Sequence, residues 1–202
     1  MLKNELNLKN FELDNNESNR VRHATQFAND KLSGDLIVAE IGVQDGINAK
    51  SILRHSRIKH LYLVDSYGDF INDKGRLVTT GYGDYSVHYA RMFNNVEEYK
   101  DKVTLISKAS EFAASLFEDN FFDWIYIDAG HETAEALSDM NIWFSKVRLG
   151  GVVSGHDIGD PRVRLAVDTF VADYNKDKSE DKKLELIIKV TPDADDWMFI
   201  KK

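Results

Sequence analysis

The 202-residue chain has no cysteine and only two prolines. The missing thiols exclude disulfide frameworks, thiolate metal sites and cysteine nucleophiles, so any metal would be held by oxygen and nitrogen groups. Positive charge is in short supply, with 26 basic against 34 acidic side chains and a formal net charge of −8. Such an excess of acid argues against a broad electrostatic grip on nucleic acid. No apolar run approaches the roughly 20 residues needed to span a bilayer. The start, MLKNELNLKNFELDNN, lacks a basic-then-apolar leader pattern. These absences predict a cytoplasmic protein without nucleic-acid or membrane partners. What is present is a composition 43% hydrophobic, enough to bury a core in one domain over 1–202.

Short apolar runs alternate with amphipathic stretches, which predicts an α/β fold with a parallel sheet covered by helices on both faces. Strands are expected at Leu36–Ile41, Leu61–Val64, Val103–Ile106, Phe122–Ile127, Val152–Ser154, Leu184–Val190 and Trp197–Ile200. Helices are expected near Asn48–His55, Asp84–Tyr99, Ser110–Phe117, Glu132–Val147 and Pro161–Tyr174. Asp160 is placed to cap the last of these, with Pro161 at its first position. Gly150 and Gly151 are expected to end the fourth helix and turn the chain into the fifth strand. Residues 1–34 form an N-terminal extension, with a helix over Ser18–Lys31. The run Asn175–Lys183 reads as a solvated loop. The link Thr191–Asp196 is too short for a parallel crossover, so the last two strands form an antiparallel hairpin. The long connection 66–83, with four glycines and three aromatics at the end of the second strand, reads as a substrate lid.

Two motifs suggest a nucleotide-type ligand. In IVAEIGVQDG, Gly42 permits a tight turn and close backbone approach, and Gly46 admits passage into the next helix. Asp65 ends the second strand, 19 residues beyond Gly46, where an acidic side chain can accept hydrogen bonds from ribose hydroxyls. Gln44 stands where a dinucleotide fingerprint needs its second glycine, which disfavours a nicotinamide oxidoreductase. The acidic Glu40 suits a cationic ligand better than a phosphate.

From residue 36 onward the chain resembles the class I S-adenosylmethionine-dependent methyltransferases. The run FEDNFFDWIYIDAGHETAEALSDMNIWFSKVRLGGVVSGHDI is similar to the branch containing metal-dependent sugar and macrolide O-methyltransferases. The resemblance implies a Rossmann-like three-layer sandwich with seven strands in the order 3-2-1-4-5-7-6, strand 7 antiparallel. It implies S-adenosylmethionine (SAM) bound by Gly42, Val43, Gly46, Asp65 and Asp128, with Ser110 at the adenine; Ser110 as a plain helix cap is an equal alternative. LISKASEF departs from the family pattern at Lys108 and Ala109.

If the fourth and fifth strands are neighbours, about 4.8 Å apart, Asp128 and Asp157 at their ends can converge on one cation such as Mg or Mn. His156 either joins them as a ligand, shifting preference toward transition metals, or packs. His131 corresponds to the histidine of the family's IDg-H motif. An imidazole, with an unperturbed pKa of about 6.5, can accept a hydroxyl proton at neutral pH. His131 and Asp128 are therefore the expected catalytic residues, and Asp139 has an acidic counterpart in the family pattern. His23, His55, His60 and His88 read as surface or packing residues, Trp143 and Phe144 as core, and Arg162 and Arg164 as surface pairs. The expected function is O-methylation of a hydroxylated small molecule such as a sugar. Metal-independent N- or O-methylation and a non-catalytic SAM-binding module remain open, as does oligomeric state, a homodimer included.

Overall fold

The computed structural model describes residues 21–68, 70–71, 77–78, 85–191 and 194–202. The strands are β1 (Leu36–Ile41), β2 (Ile58–Val64), β3 (Phe70–Ile71), β4 (Leu77–Val78), β5 (Val103–Ile106), β6 (Phe122–Ile127), β7 (Val147–Gly155), β8 (Ile187–Thr191) and β9 (Ala194–Ile200). The α-helices are α1 (His23–Lys31), α2 (Ile47–His55), α3 (Tyr85–Val96), α4 (Ser110–Ala114), α5 (Thr133–Lys146) and α6 (Pro161–Asn175). Seven strands form one sheet in the order β5-β2-β1-β6-β7-β9-β8, in which β9 runs antiparallel to both neighbours. Counting only sheet strands along the chain, this is the expected 3-2-1-4-5-7-6 order. The connectivity reverses between β1 and β6, so the strand ends diverge there and leave a crevice above their C-terminal ends.

Alternation along the strands divides the core in two. Val38, Leu61, Leu63, Trp124 and Tyr126 face α1 and α2, while Ile41, Ile125, Ile127 and Val153 face α5 and α6. Both sheet faces are covered, which accounts for the near-continuous apolar strands in the sequence. Trp143 is fully buried on the second face, as expected of a core residue.

Several boundaries differ from the sequence reading. Gly150 and Gly151 do not end a helix; α5 stops at Lys146 and the two glycines lie inside β7. They sit where the β6–β7 register shifts, and at Gly151 a Cβ would come within 2.7 Å of the Asp123 carbonyl. The glycines therefore serve a bulge, Gly150 through its left-handed φ of +74° and Gly151 because a side chain there has no room. The helix over Ser18–Lys31 begins only at His23, with residues 18–20 outside the described part. Helix α3 ends at Val96 and passes into a 3-10 turn, Glu97–Lys102, and α4 is shorter than expected. Asp160 does cap α6, accepting from the Arg162 amide at 2.8 Å, with Pro161 in the first turn.

Most of the expected lid, 66–83, lies outside the described residues; within it, β3 and β4 pair antiparallel. Asn175–Lys183 carries a single 3-10 turn, Glu180–Lys182. Among the described residues no helix is long and apolar enough to cross a membrane.

Candidate active site

The crevice is built from the loop after β1. Gly42 and Gly46 both have left-handed φ, +85° and +73°, and Gln44 between them shares that region at 48°. Gly42 is seated against the backbone of Asp128, so close that a Cβ would lie 1.9 Å from the Asp128 carbonyl oxygen. The glycine therefore joins the ends of β1 and β6, and the Asp128 amide adds a hydrogen bond to Ile41 O at 2.7 Å. Asp65 organises the same loop from β2. Its Oδ2 accepts from the amides of Val43 and Gln44, both at 2.9 Å, and its Oδ1 from the Tyr67 amide at 2.9 Å. A carboxylate has about four acceptor positions. Asp65 thus holds the loop with three of these positions and keeps a fourth.

Glu40 lies beneath the loop, 1% exposed, with Oε1 accepting from Asn48 Nδ2 at 2.9 Å. Its Oε2 is buried without a hydrogen-bond partner, and burial pushes the carboxyl up to about 8. An orphaned buried acceptor beside a glycine turn fits a ligand that brings positive charge, such as the sulfonium and ammonium of SAM.

At the ends of β6 and β7 the titratable residues converge. His131 Nε2 lies 2.7 Å from Asp157 Oδ2, and His156 Nδ1 lies 3.1 Å from Asp157 Oδ1 and 3.9 Å from Asp128 Oδ1. His156 Nε2 is in turn 3.2 Å from Asp195 Oδ1. Asp128, His131 and Asp157 each offer a ligand atom within 4.8 Å of the others, and so do His156, Asp157 and Asp195. Burial works against charge on His156, but the Asp157 hydrogen bond and the nearby carboxylates outweigh it and raise its pKa. The His156 hydrogen bond lowers that of Asp157 against the opposing effect of burial. Asp157 itself adopts φ 56°, a strained backbone of the kind that clusters at functional sites. Behind these groups is a small, open pocket with Met140, Val167 and Trp197 in its apolar lining. Oxygen donors with one or two imidazoles fit a divalent cation such as Mg or Mn.

Three contributors, Arg22, Asp195 and Asp196, were not legible from motifs. Arg22, just before α1, donates from Nη1 to Asp128 Oδ2 at 3.0 Å and to the Tyr126 hydroxyl. Tyr126 donates to Asp196 Oδ1 at 2.9 Å, and Asp196 Oδ2 accepts from the Ala24 amide at 2.9 Å. Asp195 and Asp196 are the second and third residues of β9, and neither belongs to a recognisable motif. The nearest signal is the pair of acids that opens an otherwise apolar hairpin strand.

Other expectations are revised. Ser110 does not cap α4, whose N-cap is Ala109. It donates to Asp139 Oδ1 at 2.5 Å and accepts from Trp143 Nε1 at 2.8 Å. Asp139 therefore pairs with a serine across the α4–α5 contact. His88 is not a lone packing residue, since its Nδ1 meets Asp45 Oδ1 at 2.5 Å while Arg91 binds the other oxygen at 3.2 Å. That cluster fastens α3 to the glycine loop. Arg162 pairs with Glu132 and Asp160, and Arg164 with Asp168, as surface residues do.

Burial lifts Asp139 from an ordinary 3.8 to about 7. The native state then holds a proton that the unfolded chain has released, so stability falls as pH rises through the window from 3.8 to about 7. The slope from one such group is at most ~1.4 kcal/mol per pH unit. Asp139→Asn keeps an acceptor for Ser110 but carries no titrating proton. Its Tm, measured at several pH values across that window, should vary less than the wild-type Tm; parallel curves would show that Asp139 does not titrate there. Glu40 acts in the same direction but is common to both proteins and cancels.

The sheet order and the glycine loop joining β1 to β6 define a Rossmann-like fold. A family model described as a methyltransferase domain matches residues 39–158, and the chain belongs to that family. It is an S-adenosylmethionine-dependent methyltransferase. No curated protein matches the chain in sequence. Among solved structures, an O-methyltransferase from Bacillus cereus in complex with S-adenosylhomocysteine (SAH) aligns with TM-score 0.61 and 14% identity, over 94% of this chain and 83% of that one. A Streptococcus mutans protein described as a methyltransferase, also with SAH, gives 0.60 and 14% over 89% and 96%. Spermidine synthase from Thermotoga maritima gives 0.57 and 14% over 91% of this chain and 58% of that one. At these identities the likeness is one of fold.

Proposed function

We propose that the enzyme methylates a hydroxyl oxygen of a small molecule such as a sugar or glycosylated metabolite, with His131 as general base. The observation that carries this reading is the 2.7 Å contact from His131 Nε2 to Asp157 Oδ2. A carboxylate can only accept, so Nε2 carries the proton and Nδ1 is the basic nitrogen. An acceptor hydroxyl at Nδ1 gives up its proton there as its oxygen bonds to the methyl carbon. The carbon–sulfur bond breaks, its electron pair stays on sulfur, and SAH leaves. Asp128, His156 and Asp157 would hold Mg or Mn, which supplies Lewis acidity that makes a coordinated hydroxyl more acidic.

Arg22 favours a second reading, metal-independent N- or O-methylation, because its guanidinium already balances Asp128 at 3.0 Å. One set of measurements separates the two. SAH at 100 times its Kd should stabilise the fold by about 2.7 kcal/mol while NAD does not. Turnover of hydroxylated acceptors should vanish in excess EDTA and return with Mn or Mg. Full activity in EDTA selects the metal-independent reading, and no thermal shift with millimolar SAH overturns both.

A further inference from the structure

We propose that Asp195 is a positioning residue for the cation site, accepting the Nε2 proton of His156 so that Nδ1 faces Asp128 and Asp157. The inference rests on the cation reading given above and extends it to a residue outside the matched span 39–158.

The geometry is specific at each step. Asp195 Oδ1 lies 3.2 Å from His156 Nε2, and the other ring nitrogen, Nδ1, lies 3.1 Å from Asp157 and 3.9 Å from Asp128. Asp195 is itself fixed, because its Oδ2 accepts from the Gly159 amide at 2.8 Å. Only glycine permits that approach, since a Cβ at 159 would stand 2.7 Å from Oδ2. The main chain of His156 is held at both ends, with its amide bonded to Ile127 O at 3.1 Å and its carbonyl accepting from Trp197 Nε1 at 3.2 Å. The ring is thus clamped by backbone and by carboxylate, leaving Nδ1 directed at the two aspartates from β6 and β7.

Alternation along β9 sends the next residue the other way. Asp196 bonds Tyr126 and the Ala24 amide, and Tyr126 bonds the Arg22 that holds Asp128. The adjacent acids of the hairpin therefore serve the two sides of one site, Asp195 through His156 and Asp196 through the Arg22–Asp128 pair. Histidine ligands of metals commonly donate their second N–H to a carboxylate, and loss of that partner weakens metal binding by about 10–100-fold.

The test is Mn2+ affinity of the full chain with SAH bound, by calorimetry and electron paramagnetic resonance. Asp195→Ala should weaken Mn2+ by about 10–100-fold with SAH affinity unchanged. Asp195→Asn should not restore it, because one amide oxygen cannot accept from both Nε2 and the Gly159 amide. In a His156→Ala background, Asp195→Ala should cause no further loss, which a merely structural or bulk-charge role would not reproduce. Equal Mn2+ affinity in wild type and Asp195→Ala overturns the proposal and leaves the cation reading standing. An undiminished loss in the His156→Ala background also overturns it. Absence of Mn2+ binding to the wild type at millimolar concentration, with SAH still bound, overturns the cation reading and this inference together.

Discussion

His131→Ala should lower kcat by about 10²–10⁴-fold, the usual contribution of a positioned general base, while SAH binds as in the wild type. The expected split follows from placement. His131 stands in the loop after β6 and is bonded to Asp157 just past β7, whereas the glycine loop is organised by Asp65, His88 and Arg91 from other elements. Removing the imidazole takes away the proton acceptor without unseating that loop. Asp157→Asn should also slow turnover, because an amide can donate to Nε2 and so favour the wrong tautomer. Single-turnover rates and SAH titrations on both variants are the check. Wild-type kcat in His131→Ala would remove this histidine from the chemistry.

Gly42→Ala should be the most damaging small substitution in the crevice. Alanine at a left-handed φ costs roughly 1–2 kcal/mol, and overpacking a tight contact typically adds about 1–3 kcal/mol. Here the added carbon would meet the Asp128 carbonyl oxygen at 1.9 Å, the Asp128 carbonyl carbon at 2.4 Å and Ala129 Cα at 2.8 Å. All three are backbone atoms, so no side-chain rotation relieves the clash; β1 and β6 must part at their ends. Gly34 is the matched control, with the same φ of +85° and nothing within 4 Å of its would-be Cβ. Gly34→Ala should show the conformational cost alone, and Gly42→Ala that cost plus the clash and a loss of SAH affinity. Equal Tm in the two variants would mean that Gly42 contributes only its backbone freedom.

Much of the fold was readable because burial on both sheet faces leaves near-continuous apolar strands. Leu36–Ile41, Val103–Ile106 and Phe122–Ile127 have the expected bounds. Periodicity is a poorer guide to where helices stop. Gly150 and Gly151 carry a helix-ending signature, yet in three dimensions they lie in a strand bulge, where Gly151 relieves crowding against Asp123. Ser110 illustrates the same limit for a site: its type suits a cap or a ligand, and only the packing of α4 on α5 brings Asp139 and Trp143 within reach of its hydroxyl.

By itself the sequence determined the class of the protein. The glycine turn after the first strand, Asp65 at the end of the second and the IDAGH and GHD segments all lie within short stretches whose meaning is local. The tertiary structure decided how those segments act on one another. Strand adjacency alone sets Asp157 at 2.7 Å from His131. Chain folding across 106 positions brings Arg22 to Asp128. The terminal hairpin carries Asp195 to His156, 3.2 Å away. Such contacts depend on register and on the direction of the last strand, and a linear pattern encodes neither distance nor facing. The absence of thiols shows its consequence there, in a cluster of carboxylates and imidazoles assembled from three separate parts of the chain.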